Sequence, residues 1–295
     1  PWEDPPRVDG VVQVRDGWRW VERGTVGVQV PVEWVDESLT CGGAWDGGPP
    51  AVASVGTHDY AVSADCMVPP GRDPLVADPV TDEAFPPYPP EMWRTILIIE
   101  DEATVYEGGD SAVQVPDGTY TYDGWTLRRV THGGTRVSLL SDTAHEDVAL
   151  EVLGSLVVGD VTPAGCRATE EFGQERDQAL PPDRAVLAAT VCGYEPILQN
   201  LGAPPVHRLE VSRSLDEGEA AALLSALRVA PALPAVPDPC AHRDAVSYVQ
   251  LLRFFVDGAV SESEVAVYDC AVEVDGTWRV LTDEVASHLA GRITW

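Results

Sequence analysis

In the stretch GTVGVQVPVEW (24–34) apolar residues alternate with polar or small ones until a proline and a tryptophan close the run. Side chains of a strand alternate between faces, so Val26, Val28 and Val30 share one side, with Gly27 and Gln29 on the other. Pro31 cannot donate to a ladder and marks the strand's end or an edge. Trp18 and Trp20 of the preceding WRWVER share a face in the same way, and Arg23-Gly24 supplies the turn. The pattern predicts a half-buried hairpin, with Trp34 packed in the core where the second strand leaves the sheet.

The same period recurs along the chain. TILIIE (95–100) reads as a buried strand, and 118–142 as a meander with Asp-Gly and Gly-Gly turns. Thr143 and Glu146 have capping-box spacing, and Val148, Val152, Leu153 and Leu156 follow at helical spacing. Residues 185–194 and 206–214 read as strands. Ser214 and Glu217 repeat the capping-box spacing ahead of AAALLSALRV. SYVQLLRFFV and EVAVYDC predict a hairpin, TWRVLT a last strand, and Thr282 the cap of a final helix. A strand, a cap, an acidic first turn and an Ala/Leu-rich helix therefore occur at 135–158 and again at 207–230, with acids where a helix N-terminus favours them.

Two stretches break the pattern. Residues 1–10 are proline-rich and acidic and read as an extended arm or tether. Residues 67–92 carry eight prolines and little periodicity. They read as a long loop wrapped on a surface, a packed connection first, with Phe85, Tyr88 and the following Trp93 as a candidate aromatic surface in the alternative. The charged, proline-flanked run 167–184 puts a module boundary near 160–170.

Charge narrows the function classes. The 295-residue chain has 48 acidic and 19 basic residues, for a formal charge of -29. A polyanion needs a basic footprint, so nucleic acid is an unfavourable partner, and an anionic membrane surface is disfavoured for the same reason. No run approaches eighteen uninterrupted apolar residues, so no membrane insertion by this segment is expected.

The six cysteines, Cys41, Cys66, Cys166, Cys192, Cys240 and Cys270, include no CxxC spacing. Zinc-ribbon and thioredoxin readings therefore fail. An even, spread set predicts disulfides and an extracytoplasmic location. Six cysteines allow about fifteen connectivities; pairing sequence neighbours gives Cys41–Cys66, Cys166–Cys192 and Cys240–Cys270. A thiol nucleophile at Cys192 with His207 competes with that framework and is the weaker reading.

No Gly-x-Ser-x-Gly, HExxH, calcium-loop or phosphate-loop motif occurs. Hence no catalytic residue, no cofactor and no metal ligand is assigned. Carboxylate pairs are frequent: Glu100-Asp101, Glu170-Glu171, Asp216-Glu217 and Asp283-Glu284. Chance supplies such pairs in a chain this acidic, and glycosidase chemistry would need two of them placed across a cleft.

As a set, GWRWVERGTVGVQVPVEW, Cys41 and Cys66, LGSLVVGDVTPAGC, TVCGY, EVSRSLDEGEAAALLSALRVAP, DPCAH, EVAVYDC and WRVLTDEV resemble an uncharacterised family of actinobacterial membrane-anchored extracytoplasmic proteins. Its members are often encoded beside extracytoplasmic-function sigma factors, and the resemblance implies a sensor-like role. It carries no catalytic residues with it. More distantly, a strand ending V-x-V-P-x-x-W, a meander and a closing helix that ends in Ser-Leu resemble the PsbP-like α/β sandwich, which implies fold alone.

The expectation is an α+β chain: an arm at 1–10, a PsbP-like module at 11–163 and a second α+β module at 164–295. Each module is expected to be an antiparallel sheet with helices on one face, stapled by disulfides. The function expected is non-enzymatic binding of a protein or small-molecule ligand outside the cytoplasm, as a sensor-like domain of a cell-envelope protein. An envelope hydrolase with a carboxylate pair and a structural or assembly subunit at the cell surface are the alternatives.

Overall fold

The computed structural model describes residues 12–37, 47–55, 84–85, 90–101, 116–171, 180–181, 186–196, 206–233, 249–256, 264–268, 271–274 and 277–289. The 1–10 arm, Tyr88, and the cysteines at 41, 66, 240 and 270 lie outside them. Within them strand dominates and helices are few, consistent with an α+β class. No described helix is long and apolar enough to cross a membrane. The chain divides into two compact units, and the division is not a single cut: Val14–Arg19 and Val26–Val158 belong to the first, Trp20–Thr25 and Gly159–Trp295 to the second. The strand β1 (Trp18–Arg23) thus contributes to both.

The first unit is built on a six-stranded sheet. Its strands are β3 (Val35–Glu37), β4 (Ala51–Val55), β5 (Ile96–Asp101), β6 (Gly118–Tyr122), β7 (Trp125–His132) and β8 (Thr135–Asp142), in the order β3-β4-β5-β8-β7-β6. The 118–142 meander forms as its turns require. Asp123, Gly124, Gly133 and Gly134 all have positive φ, the geometry of two-residue hairpin loops that follow the strand twist. The sheet is mixed, not antiparallel as expected, because β3, β4 and β5 run parallel. Parallel neighbours need long connections, and those connections carry no periodic signal.

The strand β2 (Val26–Pro31) pairs with β9 (Val157–Val158) and is buried along its whole length, not on one face. The helix α1 (Glu146–Gly154) accounts for part of this: it packs on β2 and β8 through Ala149, Val152 and Leu153. At its end the Gln29 N–H donates to Ser155 Oγ at 2.8 Å. On the polar side Arg15 Nε donates to Gln29 Oε1 at 3.1 Å, so even the glutamine is covered and satisfied. Trp34 is 3% exposed and belongs to the core.

The predicted capping box at Thr143 does not form. The Thr143 hydroxyl donates to the Gly124 carbonyl at 3.1 Å, and Glu146 turns to Arg128 and Ser141. The N-cap residue is His145, without a side-chain cap bond, and Asp142 Oδ1 accepts the His145 N–H at 2.9 Å just ahead of the helix.

The second unit holds an antiparallel seven-stranded sheet in the order β10-β12-β11-β13-β14-β15-β16. The strands are β10 (Thr169–Glu171), β11 (Val186–Pro196), β12 (Val206–Leu215), β13 (Val249–Val256), β14 (Glu264–Tyr268), β15 (Ala271–Val274) and β16 (Thr277–Val280). One face is covered by α2 (Glu217–Val229) and α3 (Asp283–Ala286), with Val191, Leu223, Leu227, Leu252, Phe254 and Val285 in one apolar cluster. The second capping box exists but lies two residues further on: Asp216 caps, and Glu219 closes the box. The shift follows from Leu215, still paired with Ala189 in the sheet. Thr282 caps α3 as expected, accepting from the Val285 N–H at 3.3 Å.

On the opposite face Cys192, Tyr194, Leu209, Val249 and Leu251 pack with Cys166. Cys166 and Cys192 form a disulfide across a separation of 26 residues. In the chain-entropy picture that closure contributes roughly 3.5 kcal/mol at 25 °C.

Candidate functional site

In the first unit the register places Trp125 opposite Asp142, and Ile96 opposite Leu140. The β6–β7 turn, the β8–α1 junction and the 3-10 turn Pro90–Met92 ahead of β5 therefore meet at one end of the sheet. Hydrogen bonds fix them: Thr143 Oγ1 to the Gly124 carbonyl, and the Gly47 N–H to the Met92 carbonyl at 3.1 Å. Between them lies an open depression of about 620 Å³.

Its wall is aromatic. Trp93 and Trp125 meet edge to face with centroids 5.8 Å apart, and Tyr122 lies 6.0 Å from Trp93. Phe85 stacks on Trp93 at 5.4 Å. Of the candidate aromatic surface Phe85, Tyr88 and Trp93, the two described residues are buried, as in a packed connection. Phe85 and Trp93 are 6% and 3% exposed and anchor the connection into the core beside Ile96, Leu127 and Leu140. Stacking two large rings against the sheet removes more apolar surface from water than displaying them would. Trp93 nevertheless borders the depression, and its buried indole N–H has no hydrogen-bond partner. Trp125 is half-buried.

The rest of the lining sets polar side chains among the small Gly47, Pro90, Gly124 and Ala144. Glu91, Asp123, Asp142 and Thr143 contribute to it, and no described arginine or histidine does. Asp142 also orients His145, whose Nδ1 lies 2.7 Å from its Oδ1. Behind this site the Arg128 guanidinium, hydrogen-bonded to Glu146, holds that carboxyl below its usual range against a smaller opposing effect of burial.

The second unit has a different polar feature. Glu22 is 1% exposed; its Oε2 accepts from the Thr162 hydroxyl at 2.6 Å and its Oε1 from the Ala164 N–H at 2.7 Å. Burial pushes this carboxyl above the usual range, and hydrogen bonding by Ser212, Thr162 and Ala164 pulls against it. Next to it in sequence, Arg23 is fully buried and bonds Glu195 at 2.9 Å, with Glu210 4.0 Å away. Thr190 Oγ1 donates to the Ala164 carbonyl at 2.9 Å, and Arg253 donates to the Gly165 carbonyl. With the Cys166–Cys192 bond these contacts clamp the 162–166 turn onto the sheet. The cluster is closed and internally paired, which suits a structural lock and gives a substrate no route in.

The other acids singled out in the sequence have local tasks. Glu100 pairs with Arg136 at 3.4 Å, Glu170 is buried with Arg167 Nη1 3.8 Å away, Asp216 caps α2, and Asp283 and Glu284 begin α3. Cys192 is oxidised, so it offers no thiolate to His207, which is itself buried. Among the described residues no three His, Cys, Asp or Glu side chains converge as a metal site requires. The residues of the depression were not legible as a site, because 47, 90, 91, 93, 123–125 and 142–144 share no motif. The one local signal was the Asp-Gly turn.

Comparison with protein-family models, curated proteins and solved structures finds no match to this chain.

Proposed function

We propose that this chain is a non-enzymatic, extracytoplasmic binding domain of a cell-envelope protein, with its ligand site in the acid- and indole-lined depression of the first unit. The observation that carries the reading is the depression itself. It is open, Trp93 and Trp125 border it, and polar groups line it from connections held by hydrogen bonds. The disulfide favours an oxidising compartment. The resemblance to actinobacterial envelope proteins points the same way and suggests a sensor-like role.

The hydrolase alternative calls for two facing carboxyls in a cleft, one held protonated near neutrality. Glu22, a carboxyl that burial pushes up, is enclosed and does not line the depression.

A ligand-observed NMR screen of a general fragment library tests the reading, run on the wild type and on Trp125→Ala checked for folding by thermal unfolding. The expected result is a set of hits lost in the variant. Hits that survive the substitution, or the absence of any hit, would overturn the assignment, and turnover of a fragment would favour the hydrolase.

A further inference from the structure

We propose that the depression is a saccharide site, taking a neutral polyhydroxylated ligand against Trp93 and Trp125; this rests on the binding reading above. Three observations in one place carry it. Glu91, Asp123 and Asp142 are acceptors, and ligand hydroxyls donating to carboxylates form charge-assisted bonds. The Trp93 indole N–H is a donor without a partner in a side chain only 3% exposed. Burying such a donor unsatisfied is costly, and an approaching hydroxyl oxygen, with a small shift of the ring, supplies the missing acceptor. Finally, the half-buried Trp125 indole, set edge-on to Trp93, offers an apolar surface for the C–H face of a pyranose ring.

A hydroxylated ring both donates and accepts, and so answers all three. An organic ammonium ion is the competing ligand for an acidic, aromatic wall. It would satisfy the carboxylates and the indole face but has no acceptor for the Trp93 N–H. A bare metal ion is disfavoured because no group of three His, Cys, Asp or Glu side chains that could hold one occurs among the described residues. Two of the three acids are also placed by the fold, Asp123 by its turn and Asp142 by its bonds to His145, so their number alone argues little in a chain of charge -29.

The test is isothermal calorimetry on the intact chain with maltotriose, cellotriose, mannotriose and chitotriose, and with 1,5-diaminopentane as the cationic probe. At least one trisaccharide is expected to bind with a dissociation constant of millimolar or tighter, unchanged between low and high NaCl because a neutral ligand is not screened. Asp123→Asn keeps a residue tolerated at positive φ. Combined with Glu91→Gln, it should weaken saccharide binding about fivefold or more, and Trp125→Ala should abolish it. Diamine binding that fades with salt, with no saccharide bound, overturns the proposal in favour of a cation site. Saccharide binding unaffected by these substitutions overturns the location. If library fragments occupy the depression and no saccharide does, the ligand class falls while the binding-domain reading stands; if nothing occupies it, both fall.

Discussion

Replacing Glu22 by glutamine should flatten part of the pH dependence of stability and raise stability above pH 5. The carboxyl is 1% exposed, and burial moves its proton affinity upward from the ordinary value of 4.5. Below that value the carboxyl is protonated in both folded and unfolded chains, and it adds no pH dependence. As pH rises past it, the unfolded chain releases the proton while the fold still holds it, so stability falls until the folded group also ionises. Each tenfold difference in proton affinity between the folded and unfolded chains corresponds to about 1.4 kcal/mol.

Glutamine stays neutral throughout. Its carbonyl can accept the Ala164 N–H, and its amide can donate to Thr162 Oγ1 once that hydroxyl rotates. Glu22→Ala is the contrasting variant. It leaves the donors now held at 2.6 and 2.7 Å without an acceptor, at a cost of roughly 2–5 kcal/mol with the cavity it opens. Urea unfolding of wild type, Glu22→Gln and Glu22→Ala at pH 5 and pH 8 reads this directly, because every other titrating group cancels in the difference between variants. The glutamine variant should gain on wild type from pH 5 to pH 8. Parallel profiles would refute the reasoning, and a glutamine variant that loses ground at pH 8 would show that the fold favours the charged form.

Two further outcomes follow from the same geometry. Glu146→Gln should show the opposite sign: the pair with Arg128 adds stability above the unfolded value of 4.5 and loses it as pH falls through the depressed folded value. The variant should therefore be weaker than wild type at pH 7, by about 1 kcal/mol or less given its exposure to solvent, and equal to it in acid, read by thermal unfolding across pH. Cys166→Ala/Cys192→Ala should lose roughly 3.5 kcal/mol in urea unfolding, and non-reducing alkylation of the intact wild type should leave both cysteines unlabelled.

The parts of the fold that local chemistry dictates were legible. The β6–β7–β8 meander follows from Asp123-Gly124 and Gly133-Gly134, which provide the positive φ that hairpin turns need. The helix α2 follows from its acidic first turn and apolar stripe, although its cap sits at Asp216 because Leu215 remains a sheet residue. What depends on distant packing was not legible. The parallel pairing of β3, β4 and β5 has no signature in their own residues. Burial of β2 on both sides depends on Ser155 and Arg15, far from it in sequence or outside its strand. Residues Trp20–Thr25, which read as part of one hairpin, belong to the second unit because Glu22 and Arg23 find their partners there. The depression is of the same kind: Phe85 and Trp93 sit in a proline-rich connection without periodicity, and only the tertiary fold brings Trp93 edge-on to Trp125.

The most direct measurement is the set of nine tryptophan indole N–H resonances in the 15N-labelled protein, followed while a fragment or saccharide identified by screening is added. Binding in the depression predicts that Trp125 and Trp93 shift in a saturable way while Trp18, Trp20, Trp34 and Trp278 stay in place. A ligand that moves Trp18, Trp20 or Trp278 and leaves Trp125 and Trp93 unchanged would contradict the assignment.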